Sequence, residues 1–218
     1  MKFKIAPSLL ERGRGNMKTT EFKLRLRGKT GVFIDWANVY RWKDSLKQEI
    51  NLKKLVVYLR TYRQVKEIGF YFGTDSHPKS KLQLEEARKV GCRVITKPVK
   101  YLSKKAEDGS IVRVRKCDFD LEIGLDCFES LDKFKGFIFF SGDGDFATLY
   151  KRLIKRKKQV VVVYAHGHLG REVWEIKRGV YKKFIKKLGV DVFKKMPPDR
   201  RSGAQLRSII TDKGRVSR

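Results

Sequence analysis

Gly136-Phe137-Ile138-Phe139-Phe140-Ser141-Gly142-Asp143-Gly144-Asp145-Phe146 is the stretch from which the fold of this chain is read. Its apolar run has strand length and no polar face, which predicts a strand buried on both sides. Gly142 and Gly144 let the backbone turn sharply just beyond it. Asp143 and Asp145 are then presented together at the carboxyl end of a central strand, where open α/β sheets place their ligands. A plainer use of the same residues is a polar turn in which Asp145 caps the helix that follows.

Outward from that stretch, buried strands alternate with helices. Upstream, Gly31-Val32-Phe33-Ile34-Asp35 predicts a core strand that ends in Asp35-Trp36-Ala37-Asn38. Asn51 caps a helix with Leu52, Leu55, Val56 and Leu59 at helical spacing. A strand is predicted over Val65–Phe72, a helix from Pro78 to Gly91, and a strand over Cys92–Thr96. Val99–Arg115 reads as a basic hairpin or flap around Asp108-Gly109. Asp118–Ser130 reads as a helix with Leu121, Leu125 and Phe128 on one face. Downstream come a helix over Phe146–Arg156 and a buried strand over Gln159–Tyr164. A basic helical region over Arg171–Leu188 and a short strand over Val190–Phe193 follow. The order predicts an α/β fold, with a mostly parallel, doubly wound sheet flanked by helices and a basic hairpin insertion.

Three parts are expected: a basic extension over 1–28, one domain over 29–195, and a basic tail over 196–218. Glu21–Arg27 alternates apolar and charged residues, which fits an edge strand or an arm lying on nucleic acid.

The charge points to the partner. The 218 residues carry 52 Lys and Arg against 24 Asp and Glu, a net charge of +28. Such an excess repels itself unless a polyanion is near, and nucleic acid is the usual one. A membrane surface fits less well, because the basic residues are spread over all segments rather than along one amphipathic helix. No apolar stretch is long enough to span a bilayer. Cys92, Cys117 and Cys127 form no CxxC pair, so reduced thiols in a cytoplasmic protein are expected.

Against this basic background the acids stand out. Asp35 and Asp143 both close apolar strands, so a parallel sheet brings them to one rim. Asp120 begins a helix that leads to the 136–141 strand. Carboxylates crowded at one rim repel each other unless a divalent cation sits among them, and ligands of oxygen alone suit Mg2+ or Mn2+. Two such ions about 3.5–4 Å apart would activate a water and stabilise the leaving oxygen of a phosphodiester.

Three motifs now carry a resemblance: Phe33-Ile34-Asp35-Trp36-Ala37-Asn38, then Lys116-Cys117-Asp118-Phe119-Asp120 with Asp126 beyond it, then Ser141-Gly142-Asp143-Gly144-Asp145-Phe146. Together they resemble the NYN domain, a PIN-like nuclease fold, over about residues 30–190. The resemblance implies a Mg2+- or Mn2+-dependent ribonuclease that leaves 5′-phosphate and 3′-hydroxyl ends. By motif position Asp35, Asp120, Asp143 and Asp145 would ligate metal, and Asn38 would position Asp35 or the substrate. Asp126 matches a further family acid, although a step of six does not put it beneath Asp120 on a helix.

Other residues have two uses each. Trp36 packs the core or stacks on a base. Lys116 binds phosphate or is simply solvated. His166 and His168 touch phosphate or are ordinary loop histidines. RNA is the expected partner, and single-stranded DNA fits the same chemistry. The oligomeric state is open, with a homodimer among the options. The competing function is a basic RNA-binding module of the same fold without turnover. A haloacid-dehalogenase-like phosphatase fits poorly, because Trp36 and Ala37 follow Asp35 where a second Asp is needed. No GxGxxG follows the first strand, which argues against a dinucleotide enzyme.

Overall fold

A computed structural model describes residues 23–105 and 109–194. The expectations for 1–22, for the 106–108 tip of the hairpin and for the tail beyond 194 lie outside the described residues. Six parallel strands form the main sheet: β1 (Thr30–Asp35), β2 (Val65–Tyr71), β3 (Arg93–Ile95), β6 (Gly136–Phe140), β7 (Gln159–Tyr164) and β8 (Val180–Phe184). Their order is β3-β2-β1-β6-β7-β8, so the winding reverses between β1 and β6. β4 (Lys100–Lys105) and β5 (Ile111–Lys116) form a separate antiparallel hairpin, the basic flap.

The sheet is covered on both faces. Alternate residues of β6 point to opposite sides: Ile138 and Phe140 enter one apolar cluster, Phe137 and Phe139 the other. The first cluster is closed by α1 (Trp36–Arg41), α2 (Lys43–Leu46), α3 (Leu52–Arg60) and α4 (Pro78–Lys89). The second is closed by α5 (Asp120–Glu129), α6 (Ala147–Lys155) and α7 (Arg171–Trp174). Phe137, Phe139 and Phe140 are essentially inaccessible to water, and burying each contributes about 1.5–3 kcal/mol. That explains why this strand is apolar without interruption. The Asn51 cap on α3 is as expected, its side chain accepting from Lys54 N.

Three expectations are corrected. Arg171–Leu188 is not one helix. It is α7, a turn, β8 and a 3-10 turn over Ile185–Leu188. Gly179, just before β8, has φ of 87°, a backbone that no continuous helix contains and that a side chain rarely adopts. A Cβ there would also lie 2.7 Å from Ile154. β8 then pairs with β7 from Val160–Val180 to Tyr164–Phe184. Val190–Phe193 is not a strand either, and only Phe193 bridges, to Ile50. On α5 the inward stripe is Ile123 and Cys127, following Phe119, while Leu121 and Leu125 are exposed.

The segment before β1 lies on the protein and not in the sheet. Leu24 is buried in the first cluster and its amide donates to the Tyr62 hydroxyl. The Gln159 side chain accepts from Arg27 N and donates to Arg25 O. The flap is solvated along all of β4. Its two roots, at Val99 and Cys117, both press on Gly73, where a Cβ would come within 2.6 Å and 2.8 Å of them. Among the described residues no helix is long and apolar enough to cross a membrane.

Candidate active site

The strand order puts the carboxyl ends of β1 and β6 side by side at the point where the winding reverses. Chains leave in opposite directions there and open a crevice, the place where doubly wound sheets bind ligands. Asp35 is the last residue of β1 and the N-cap of α1. It is 8% exposed. Its Oδ1 accepts from Asn38 N at 3.2 Å, and Ser141 Oγ donates to its Oδ2 at 3.4 Å. Burial raises the Asp35 carboxyl to about 6; the Asn38 N–H opposes the shift, and the charges of Asp120 and Asp143 add to it.

Asp143 stands on the β6 side. It caps the 3-10 turn Gly144–Phe146 by accepting from Asp145 N at 3.1 Å, while its own amide donates to Ser141 Oγ at 3.3 Å. The capping residue is therefore Asp143 and not Asp145, whose side chain is exposed. Asp120 begins α5. Its carboxyl is also raised to about 6, by burial first and then by Asp143, Asp118 and Asp145, with Lys97 opposing. Asp120 and Asp143 thus act on Asp35, and Asp143 and Asp145 act on Asp120. Among the described residues no three acidic, His or Cys side chains close into a ready-made metal cage. Mg2+ keeps several waters and takes one or two protein carboxylates together with substrate phosphates. The donor set fits such an ion.

Asn38 holds the two sides together. Its Oδ1 accepts from Trp42 Nε1 at 2.9 Å and from Gly142 N at 3.2 Å, so α1 is tied to the turn after β6. That turn has no spare room. A Cβ on Gly142 would lie 1.4 Å from His168 O, and Gly170 N donates to Gly142 O at 2.7 Å. Gly144 faces Gly170 and the Glu172 carboxylate. The 165–170 loop therefore packs its backbone against the acidic turn.

The remaining sequence candidates fall elsewhere. Asp126 is committed to a structural network: Tyr71 Oη and Arg93 Nη2 each donate to its Oδ2 at 2.6 Å. Arg93 also pairs with Glu67 at 2.7 Å, which joins α5 to β2 and β3. Trp36 is a core residue, its ring 5.2 Å from Phe70. Lys116 is exposed at the root of the flap. The cation beside Asp120 is instead Lys97, whose Nζ donates to Glu122 Oε1 at 2.6 Å and lies 4.8 Å from the centre of the Phe119 ring. Sequence reasoning gave Lys97, Ser141 and Glu172 no part in the site. Ser141 sits within the quoted motif, where a hydroxyl beside two Asp was the available signal. Nothing local to Lys97 or Glu172 announces their place.

Comparison with known proteins gives a consistent picture. The NYN domain matches residues 29–177. Low amplitude and bright protein LabA of Synechococcus elongatus is 22% identical over 144 residues, which is 65% of this chain and 76% of that protein. The crystal structure of a protein of unknown function from Vibrio parahaemolyticus superposes with a TM-score of 0.58 at 21% identity. That superposition covers 78% of this chain and 98% of the other, and the likeness is one of fold.

Proposed function

The chain belongs to the NYN domain family, a ribonuclease-like family for which RNA binding is implied, and on that premise we propose that it hydrolyses RNA phosphodiester bonds at the Asp35–Asp120–Asp143 rim with the help of Mg2+ or Mn2+. The observation that carries this reading is the crowding of carboxylates at the switch point of a protein with net charge +28. Burial first, and the charges of neighbouring acids after it, raise the carboxyls of Asp35 and Asp120 to about 6. A fold gains nothing from such repulsion, whereas a cation site needs it.

Asp35, Asp120, Asp143 and the exposed Asp145 would hold the ion. A divalent cation supplies Lewis acidity there, making a water more acidic and offsetting charge on the phosphoryl group. The chain supplies the rest. The Asn38 amide and the Ser141 hydroxyl fix the orientation of Asp35. The Asn38 side chain keeps the β1 and β6 sides in register. Dispersed lysines and arginines hold the phosphates on either side of the scissile bond. The flap, exposed along β4, is a clamp over the strand. The proposed reaction joins a water oxygen to phosphorus and releases the 3′ oxygen, leaving 5′-phosphate and 3′-hydroxyl ends.

The lack of a closed cage among the described residues favours a second reading, RNA binding without turnover. One experiment separates the two. Labelled RNA is incubated with the protein and Mn2+, Mg2+ or a chelator, beside the Asp143→Asn variant. Asn caps as well as Asp, so the turn persists. Cleavage should require the cation and fall by about 10²-fold or more in the variant, with RNA binding retained. Cation-independent binding with no cleavage at all selects the second reading. Cleavage at an unchanged rate in Asp143→Asn places the chemistry somewhere else.

A further inference from the structure

A groove of about 1040 Å3 opens beside the carboxylate rim, between α1, the start of α4 and the root of the flap. It neighbours the rim: Asp118 lines it and also acts on Asp120, and Trp36, the residue after Asp35, is part of its lining. The remainder of its lining does not resemble a cation site. Tyr40 is 44% exposed and Tyr101 is 52% exposed, one on α1 and the other on the flap. Lys79 and Lys116 stand among them. The acids of this groove are partly engaged already: Lys194 pairs with Glu49 at 2.9 Å, and Tyr101 Oη donates to Asp75 at 3.4 Å. Lys43 Nζ lies 4.0 Å from the centre of the Tyr40 ring, which places a cation next to an aromatic face.

We infer that this groove holds unpaired nucleotides of an RNA strand next to the scissile phosphate, with bases stacked on Tyr40 and Tyr101 and phosphates on the neighbouring lysines. The inference deepens the ribonuclease reading and rests on it for the position of the cut. Exposed aromatic rings interleaved with lysines are how single strands are held, because every base has a face to stack and a duplex hides those faces. The substrate class is therefore single-stranded RNA. The flap contributes a stacking ring in addition to charge.

The test measures binding without turnover. A short oligouridylate and a hairpin duplex with the same number of phosphates are titrated into the full chain in chelator. Wild type should prefer the single strand. Tyr40→Ala and Tyr101→Ala should each weaken it by roughly 5- to 100-fold, the effect of one lost base–aromatic stack. Duplex affinity and the salt slope should stay unchanged, since no phosphate contact is removed. Tyr101→Phe keeps the ring, loses the hydroxyl to Asp75, and should bind like wild type. Equal affinity for strand and duplex overturns the inference, as does a Tyr40→Ala, Tyr101→Ala double variant with unchanged strand affinity. Because no cleavage is measured, a protein that never cuts RNA can still pass this test, and one that cuts can fail it.

Discussion

Asp35→Asn should make the metal-free protein more stable, and the gain should appear only as pH rises. The Asp35 carboxyl titrates at about 6 in the fold against an ordinary 3.8. Below both values it is neutral in the folded and the unfolded chain, and its stabilising contribution is fully present. Between them the unfolded chain gives up its proton while the fold keeps it, so stability falls as pH rises. Above about 6 the loss is complete, at about 3 kcal/mol for a displacement worth about 1.4 kcal/mol per pH unit. Asn loses no charge in that interval. Its Oδ1 can still accept from Asn38 N, and its amide can donate to Ser141 Oγ, so the local bonds survive. The assay is thermal melting of both proteins in chelator at steps from about pH 4 to about pH 8. The curves should nearly meet at the acid end and separate through the range near 6. For a chain of this size 1 kcal/mol moves Tm by about 2–4 °C, so the gap should approach roughly 10 °C. Adding Mn2+ should then raise wild type and leave the variant little changed, because only the charged site binds the ion. Parallel curves across the whole pH range, or a variant that melts lower at the alkaline end, would refute the claim that burial and repulsion strain this carboxyl.

Two further substitutions test the scaffold around the rim. Gly142→Ala forces a Cβ to within 1.4 Å of His168 O, a backbone atom that cannot swing away; urea unfolding should show a loss of about 3 kcal/mol or more, and an unchanged midpoint would mean the 165–170 loop is not packed on the turn. Asp126→Ala leaves Tyr71 and Arg93 without their shared acceptor, so stability should drop by about 1–3 kcal/mol while the turnover of the protein that remains folded stays near wild type; loss of cleavage with full stability would return Asp126 to the site.

Much of this architecture was legible because buried parallel strands leave a plain trace. Val32 to Ile34, Phe137 to Phe140 and Val160 to Val163 are apolar without a break, and only a sheet covered on both faces asks for that. Once the strands are parallel, Asp35 and Asp143 must share a rim, so their meeting was also legible. β8 was not. As an edge strand it is only half-buried, and its lysine stems lie along the protein while their amines find carbonyls: Lys182 Nζ donates to Trp174 O and Ile176 O. Val180-Tyr181-Lys182-Lys183-Phe184 therefore carries neither a clean period of two nor one of 3.6. Gly179 within the supposed helix was the signal against it. On α5, Leu121 and Leu125 outweighed the smaller Cys127 in a reading by hydrophobicity, yet Cys127 is the residue that fits under the sheet. Lys97 reaches Asp120 because Thr74 N donates to Lys97 O and Val99 N donates to Thr74 O. That pairing spans too long a separation to be visible in local sequence.

The segment before β1 bears on how the protein can be handled. Gln159 begins β7 and grips the backbone at Arg25 and Arg27, so the chain enters the fold at the amino ends of the strands. The carboxylates occupy the other ends, a full strand length away. An anchor or fusion partner joined directly to residue 23 would therefore attach at the pole opposite the crevice. On a solid support coupled there, the crevice would face outward into the solution.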